Sequence, residues 1–312
     1  MRSMEEAPRA SDEGGYACRS APDSLRSMSV LPEPAAGEPA CPTRRIEAVQ
    51  VRHGEPAEIV WLDEDVHESV IGHDVRERRF DLVREGRRIP AVIWTPAQAD
   101  PPHPLVLLGH GGSGTKRQSY IVAMARRLVR DHGIAAAAID GPVHGDRRPG
   151  PPAPPPLVLA EFAQLWANEG DAMTDAMVAD WRATLDALQS LPDVGDGPVG
   201  WWGVSMGTII GLPAVAADTR FSAAVLGLMG LTGPTSARIA RDAPRVRCPV
   251  LFLVQWDDAL FPHDVAVELW EALGSTGKQL LAHPGDHGDL PAEAFEASAQ
   301  FLAHHLGAAK RR

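Results

Sequence analysis

Ser205 stands between two glycines in Gly203-Val204-Ser205-Met206-Gly207, a spacing that suits a nucleophile on a sharp turn between a strand and a helix. A serine hydroxyl attacks poorly at neutral pH. It needs an imidazole to take its proton and a carboxylate to hold that imidazole in one tautomer. Both kinds of group follow downstream: Asp257 and Asp258 in Trp256-Asp257-Asp258-Ala259-Leu260-Phe261-Pro262, and His283 and His287 in His283-Pro284-Gly285-Asp286-His287-Gly288. Histidines four apart on a helix would instead chelate a metal, but Pro284 and Gly285 oppose a helix there. Upstream, Gly109-His110-Gly111-Gly112-Ser113-Gly114 brings backbone amides close together, as a developing oxyanion requires. A phosphate loop is the competing reading of these glycines; Lys116 follows them, but Gly-Lys-Ser/Thr is absent. The five letters around Ser205 would equally describe a glycine-rich turn with an incidental serine. The presence of amide loop, acid and histidine together weighs against that.

The elements around these residues have to place them. Leu105 to Leu108 is a short apolar run before the glycine loop, and Ser119 to Asp131 carries Ile121, Met124 and Leu128 on one helical face. The pattern predicts strands at Ile134–Ile139, Val199–Gly203, Ala223–Leu228, Val250–Gln255 and Gln279–Ala282. Between and after them it predicts helices at about 171–191, 206–217, 263–273 and 292–306. Strands alternating with helices imply a mainly parallel sheet covered on both faces, an α/β architecture. Phe80–Val83 and Ile89–Trp94, separated by a turn at 84–87, predict an antiparallel start. In the mixed segment 46–72 a short helix is expected at the domain edge.

With 312 residues, 44% hydrophobic, the chain is long enough for one large domain. A net charge of -11 argues against nucleic acid and anionic membranes as partners. Cys18, Cys41 and Cys248 are too few for a disulfide framework or a cysteine metal cluster and suit a reducing cytoplasm. The first thirty residues lack the apolar core of an export signal, and no apolar run is long enough to span a bilayer. Residues 1–44 lack large apolar side chains and periodicity, which predicts a disordered extension, with Met28 an alternative start. The catalytic domain is expected over 45–312.

These residues resemble the α/β-hydrolase superfamily, in its branch of dienelactone-hydrolase-like and prolyl-oligopeptidase-like esterases. The resemblance covers roughly residues 75 to 307. It rests on the His-Gly-Gly-Ser-Gly loop, the turn at Ser205, and the loops of Asp258 and His287. It implies Ser205 as nucleophile and His287, between the last strand and the last helix, as base, with His283 the competitor. Asp258 becomes the acid in preference to Asp257, because it lies four residues before the proline that opens the next helix. It also implies an oxyanion hole from the amides of Met206 and Gly112, with Gly111 the next choice. Asp140-Gly141-Pro142-Val143-His144-Gly145-Asp146-Arg147 looks like a turn of the same branch that braces the site, with a substrate role for His144 or Arg147 as the alternative. Dienelactone hydrolases proper carry a cysteine nucleophile; Ser205 departs from that, so lactone specificity is not implied.

The implied activity is hydrolysis of a small-molecule carboxylic ester through an acyl-enzyme, without metal or organic cofactor. The alternatives are a thioesterase or acyltransferase on the same residues, a peptidase, or a silent hydrolase fold used for binding. A peptidase is disfavoured because the chain has no room for the large β domain of the oligopeptidases. Between Arg148 and Gly170 a proline-rich stretch leads to an apolar segment, expected as a small lid whose Leu157, Phe162, Leu165 and Trp166 either line a pocket or cover the sheet. Trp202 and Trp256 flank the site in sequence and are the other candidate pocket residues, with core packing as the competing reading.

Overall fold

The structure, a computed structural model, describes residues 45–49, 57–62 and 74–308. The extension expected over 1–44 lies outside the described residues. Of the segment 46–72, where a short edge helix was expected, the described residues form two antiparallel strands, β1 (Arg45–Val49) and β2 (Ala57–Trp61), and 50–56 and 63–72 lie outside the described residues. The reason shows in β2: Ala57, Ile59 and Trp61 are buried while Glu58 is exposed, the two-residue period of a strand. Next, β3 (Val75–Arg84) and β4 (Arg87–Pro96) pair along their whole length, so the hairpin is longer than its apolar patches suggested. Glu85 and Gly86 turn it with φ of 50° and 70°, the left-handed pair that a tight hairpin with twisted strands requires.

The alternation follows as expected: β5 (Leu105–Gly109), α1 (Ser119–His132), β6 (Ala135–Ile139), α2 (Pro155–Gln189), β7 (Val199–Gly203), α3 (Met206–Ala217) and β8 (Phe221–Gly227). Then come α4 (Ser236–Asp242), β9 (Val250–Gln255), α5 (His263–Ala272), β10 (Lys278–His283) and α6 (Ala292–His305). The ten strands of the described residues form one sheet in the order β1-β2-β3-β4-β6-β5-β7-β8-β9-β10. It is antiparallel up to the β4–β6 pairing and parallel from β6 onward.

Because successive side chains of a strand point to opposite faces, the sheet makes two cores. On β5, Leu105 and Leu107 join α2 and α3, whereas Val106 and Leu108 join α1 and α6. Full burial of each such side chain stabilises the fold by about 2 kcal/mol. The largest difference from the sequence reading is α2. It begins at Pro155, not near Asp171, and runs through the expected lid with a break at Glu169 (φ -134°, ψ 23°). Two prolines at its start are tolerated because the first helical turn has no internal use for their missing N–H groups.

Candidate active site

Ser205 follows the end of β7 after one intervening residue, Val204, and holds φ 58°, ψ -121°, a backbone state that costs a non-glycine residue about 1–3 kcal/mol. The neighbouring strand and helix over-determine it. Its N–H donates to the Gly227 carbonyl at 3.0 Å, and its own carbonyl accepts from Thr208 N at 2.7 Å and Ile209 N at 3.0 Å. The Thr208 hydroxyl accepts from Gly227 N at 2.8 Å and lies within donor reach of the carbonyls of Gly203 and Gly227. The flanking glycines let backbones touch: a β-carbon on Gly207 would run into the Gly109 carbonyl, and one on Gly203 would come within 2.7 Å of the Gly207 oxygen.

The hydroxyl so presented meets His287. Ser205 Oγ lies 2.9 Å from His287 Nε2, and His287 Nδ1 lies 2.7 Å from Asp258 Oδ2. A carboxylate only accepts, so Nδ1 carries the proton and Nε2 is left to accept from the serine. The other oxygen of Asp258 accepts from the amides of Leu260 (2.8 Å) and Phe261 (3.0 Å), which fixes the carboxylate in the loop after β9. Asp257 faces elsewhere: its Oδ2 accepts from Gly285 N at 3.0 Å and ties the acid loop to the histidine loop. His283 stays at the end of β10, where its carbonyl accepts from Trp256 N. Sequence reasoning missed Asp286. Its Oδ1 accepts from the amides of His287 (2.8 Å) and Ala259 (3.1 Å), clamping both loops, and those two amides hold its carboxyl below the usual range.

The amides of Met206, at the start of α3, and of Gly112 have no hydrogen-bond partner among the described residues. Gly111 is a correction. Its amide donates to the Tyr120 hydroxyl at 2.6 Å and is therefore committed. His144 is corrected as a pocket residue in favour of the bracing reading, whereas Arg147 lines a cavity with Leu165, Glu169 and Asp180. His144 is wholly buried, and its Nε2 donates to the Gly112 carbonyl at 2.8 Å. Arg147 donates through Nε to the Asp140 carbonyl and pairs with buried Asp180 at 2.7 Å, so it ties the turn after β6 to α2 while His144 holds the glycine loop from behind. His110 completes the brace by accepting from Gly141 N at 2.9 Å. Burial first, and the nearby His144 second, push the His110 pKa down to about 4; burial also lowers that of His144. Beside them Lys116, itself buried, bridges Asp140 at 2.6 Å and Asp146 at 2.5 Å.

Trp202 is a further correction: the alternation of β7 turns it to the α1 and α6 face, where it is fully buried against Tyr120 and Phe295. Trp256 lies on the loop of Asp258, half exposed, and stacks on His263 with ring centroids 4.1 Å apart. Trp166 stays on the expected lid, stacked on Phe162 and donating to Thr235 Oγ1 at 2.9 Å. The residues that reach the glycine loop from the lid are Leu159 and Phe162: a β-carbon on Gly112 would stand 3.1 Å from one and 3.2 Å from the other. Leu159 escaped the sequence reading because no periodic pattern singles it out.

A strand-ordered α/β sheet carrying a serine on a strained strand-to-helix turn, opposite a loop histidine, defines the α/β-hydrolase class. The sequence profile of the dienelactone hydrolase family matches residues 89–288, more than half of the chain, and the chain belongs to that family. It is a hydrolase of the carboxylesterase type. Among solved structures, a cold-adapted esterase from an Arctic intertidal metagenomic library is 40% identical, with a TM-score of 0.68, covering 79% of this chain and 99% of that one. An acetyl xylan esterase from Paenibacillus sp. R4 (18% identity, TM-score 0.61, covering 80% and 89%) shares the fold. So does Est1E from Butyrivibrio proteoclasticus, bound to ferulic acid (17% identity, TM-score 0.53, covering 72% and 97%). A search among curated proteins found no match.

Proposed function

We propose that the protein hydrolyses carboxylic esters of small molecules through a covalent acyl-serine. The reading is carried by one observation: the His287 ring bridges Ser205 Oγ at 2.9 Å and Asp258 Oδ2 at 2.7 Å. Ser205 Oγ attacks the acyl carbon while its proton passes to His287 Nε2, and Asp258 stabilises the imidazolium that forms. Negative charge gathers on the former carbonyl oxygen, held by the amides of Met206 and Gly112. Collapse breaks the bond to the alkoxy oxygen, which leaves with the proton from Nε2. Water then attacks the acyl carbon as Nε2 takes its proton, and collapse breaks the bond to Ser205 Oγ, which regains the proton from Nε2 as the acid leaves. No step calls on a metal or cofactor.

Apolar surface beside these groups supports an ester with apolar parts. The exposed large apolar side chains of the described residues are Leu157 and Leu159 on the first part of α2, and Trp256 and Leu260 on the loop of Asp258. The 40% identity to an esterase supports the same reading. Sparse cysteines, with Cys248 a free thiol, suit a reducing compartment, and the proposal places the enzyme in the cytoplasm. No helix among the described residues is long and apolar enough to cross a membrane.

The test is a fluorophosphonate probe on the protein and on Ser205→Ala, with nitrophenyl esters assayed in parallel. The variant is expected to lose labelling, and kcat is expected to fall by about four to six orders of magnitude. Equal labelling of the two forms would remove Ser205 from its role. Product ratios with added alcohol separate hydrolysis from acyl transfer.

A further inference from the structure

The glycine loop contains two neighbouring amides, Gly111 and Gly112, either of which would reach toward an oxyanion if the loop could rotate. One contact distinguishes them. Tyr120, in the first turn of α1, sets its hydroxyl 2.6 Å from Gly111 N. Two glycines leave the space for it: a β-carbon on Gly111 or on Gly114 would stand 3.3 Å from the phenolic oxygen in each case, tighter than ordinary side-chain contact. The loop is also closed on itself, with Gly114 N donating to the Gly111 carbonyl at 3.0 Å and His110 Nδ1 donating to the same oxygen at 2.9 Å. The ring behind the hydroxyl is backed by buried Trp202, centroids 6.2 Å apart.

We propose that Tyr120 is a positioning residue for ester hydrolysis: its hydroxyl occupies the Gly111 amide, holds the loop in one rotation, and leaves the Gly112 amide as the oxyanion donor. The inference rests on the acyl-serine reading above. Tyr120 touches no reacting atom; it acts through the peptide it pins. The peptide that carries the Gly112 N–H is held through its carbonyl, Gly111 O, by His110 Nδ1 and Gly114 N, so phenol and imidazole together restrain both candidate peptides. Without the hydroxyl, the peptide that carries the Gly111 amide regains freedom to turn inward, and the adjoining Gly112 amide loses its fixed aim. The loss then falls on the tetrahedral intermediate and not on the bound ester.

Tyr120→Phe removes one oxygen and keeps the ring against Trp202. With nitrophenyl acetate, kcat is expected to fall about 10–100-fold while KM stays within about 3-fold. Affinity for phenylboronic acid, which forms a tetrahedral adduct on the serine, should fall by a similar factor. Gly114→Ala, which crowds the phenolic oxygen, should lower kcat in the parent and add little in the Tyr120→Phe background. A kcat and a boronate affinity unchanged in Tyr120→Phe would overturn the proposal, as would a fall in kcat that merely tracks a loss of folded protein by thermal melting. Failure of the underlying reading looks different: Ser205→Ala would then keep its activity, whatever Tyr120→Phe does.

Discussion

Two adjacent aspartates, alike in sequence, are separated by what their oxygens touch. Asp258 accepts from His287 Nδ1 and from two amides of its own loop, whereas Asp257 accepts from Gly285 N. Asp258→Asn offers the imidazole an amide that can hold the wrong tautomer, and kcat is expected to fall by about 10³–10⁴-fold with KM little changed. Asp257→Asn keeps an oxygen for Gly285 N, so its kcat should stay within a few-fold. Steady-state kinetics of the pair decide the assignment, and comparable losses in both would refute it. Ser205, His287 and the two aspartates were visible in the sequence because they sit beside glycine, proline and the ends of apolar runs. Asp286 and Tyr120 were not, because their partners are backbone amides brought in by the turns of two loops and a helix, which residue type does not report.

The elements were legible where the period was strong. β7, α3 and β9 have the bounds their patterns predict, and α1 differs by a single residue at its end. α2 was read short because its first half lacks a buried face: of 155–169 only Val158 and Phe162 are buried, so no stripe marks it as helix. Its contacts include Phe162 and Leu159 over Gly112, Phe162 on His144, Trp166 on Thr235, and an ion pair between Arg148 and Glu161. Leu159 is 45% exposed while its tip lies at the proposed oxyanion donor, where a bound acyl group would cover it. Leu159→Ala is therefore expected to shift the preferred nitrophenyl ester toward longer acyl chains and to raise kcat/KM for octanoate relative to acetate several-fold, about 1 kcal/mol of discrimination. An unchanged acyl-length profile would mean that the side chain lies off the substrate path.

For the molecule as a whole, the brace behind the glycine loop makes stability depend on acidity. His110 titrates at about 4 in the fold against an ordinary 6.5, and burial lowers His144 as well. Between those values the unfolded chain binds a proton that the folded chain refuses, so stability is full above pH 6.5 and falls as the pH drops toward 4. His110 alone accounts for about 3 kcal/mol of that loss. Carboxyl groups whose pKa the fold lowers, such as Asp146 and Asp218, begin to act only nearer their ordinary 3.8. Urea unfolding from pH 7.5 to 4.5 should show the decline beginning near pH 6.5. A flat profile down to pH 5 would show that the two imidazoles accept protons without cost.

The break at Glu169 divides α2 into a part that lies along the core and a part that touches it at few points, chiefly Phe162 with Leu165 and Trp166 beside it. Residues 173–189 carry Met177, Trp181, Leu185 and Leu188 into the sheet, while the stretch before the break is fastened by two buried side chains and a proline-rich leader. Ser205, His287 and Asp258 all lie on other elements. The upstream half of that helix is thus an exchangeable cassette: its sequence and length can diverge, or be replaced by design, without redrawing the sheet or the serine beneath it.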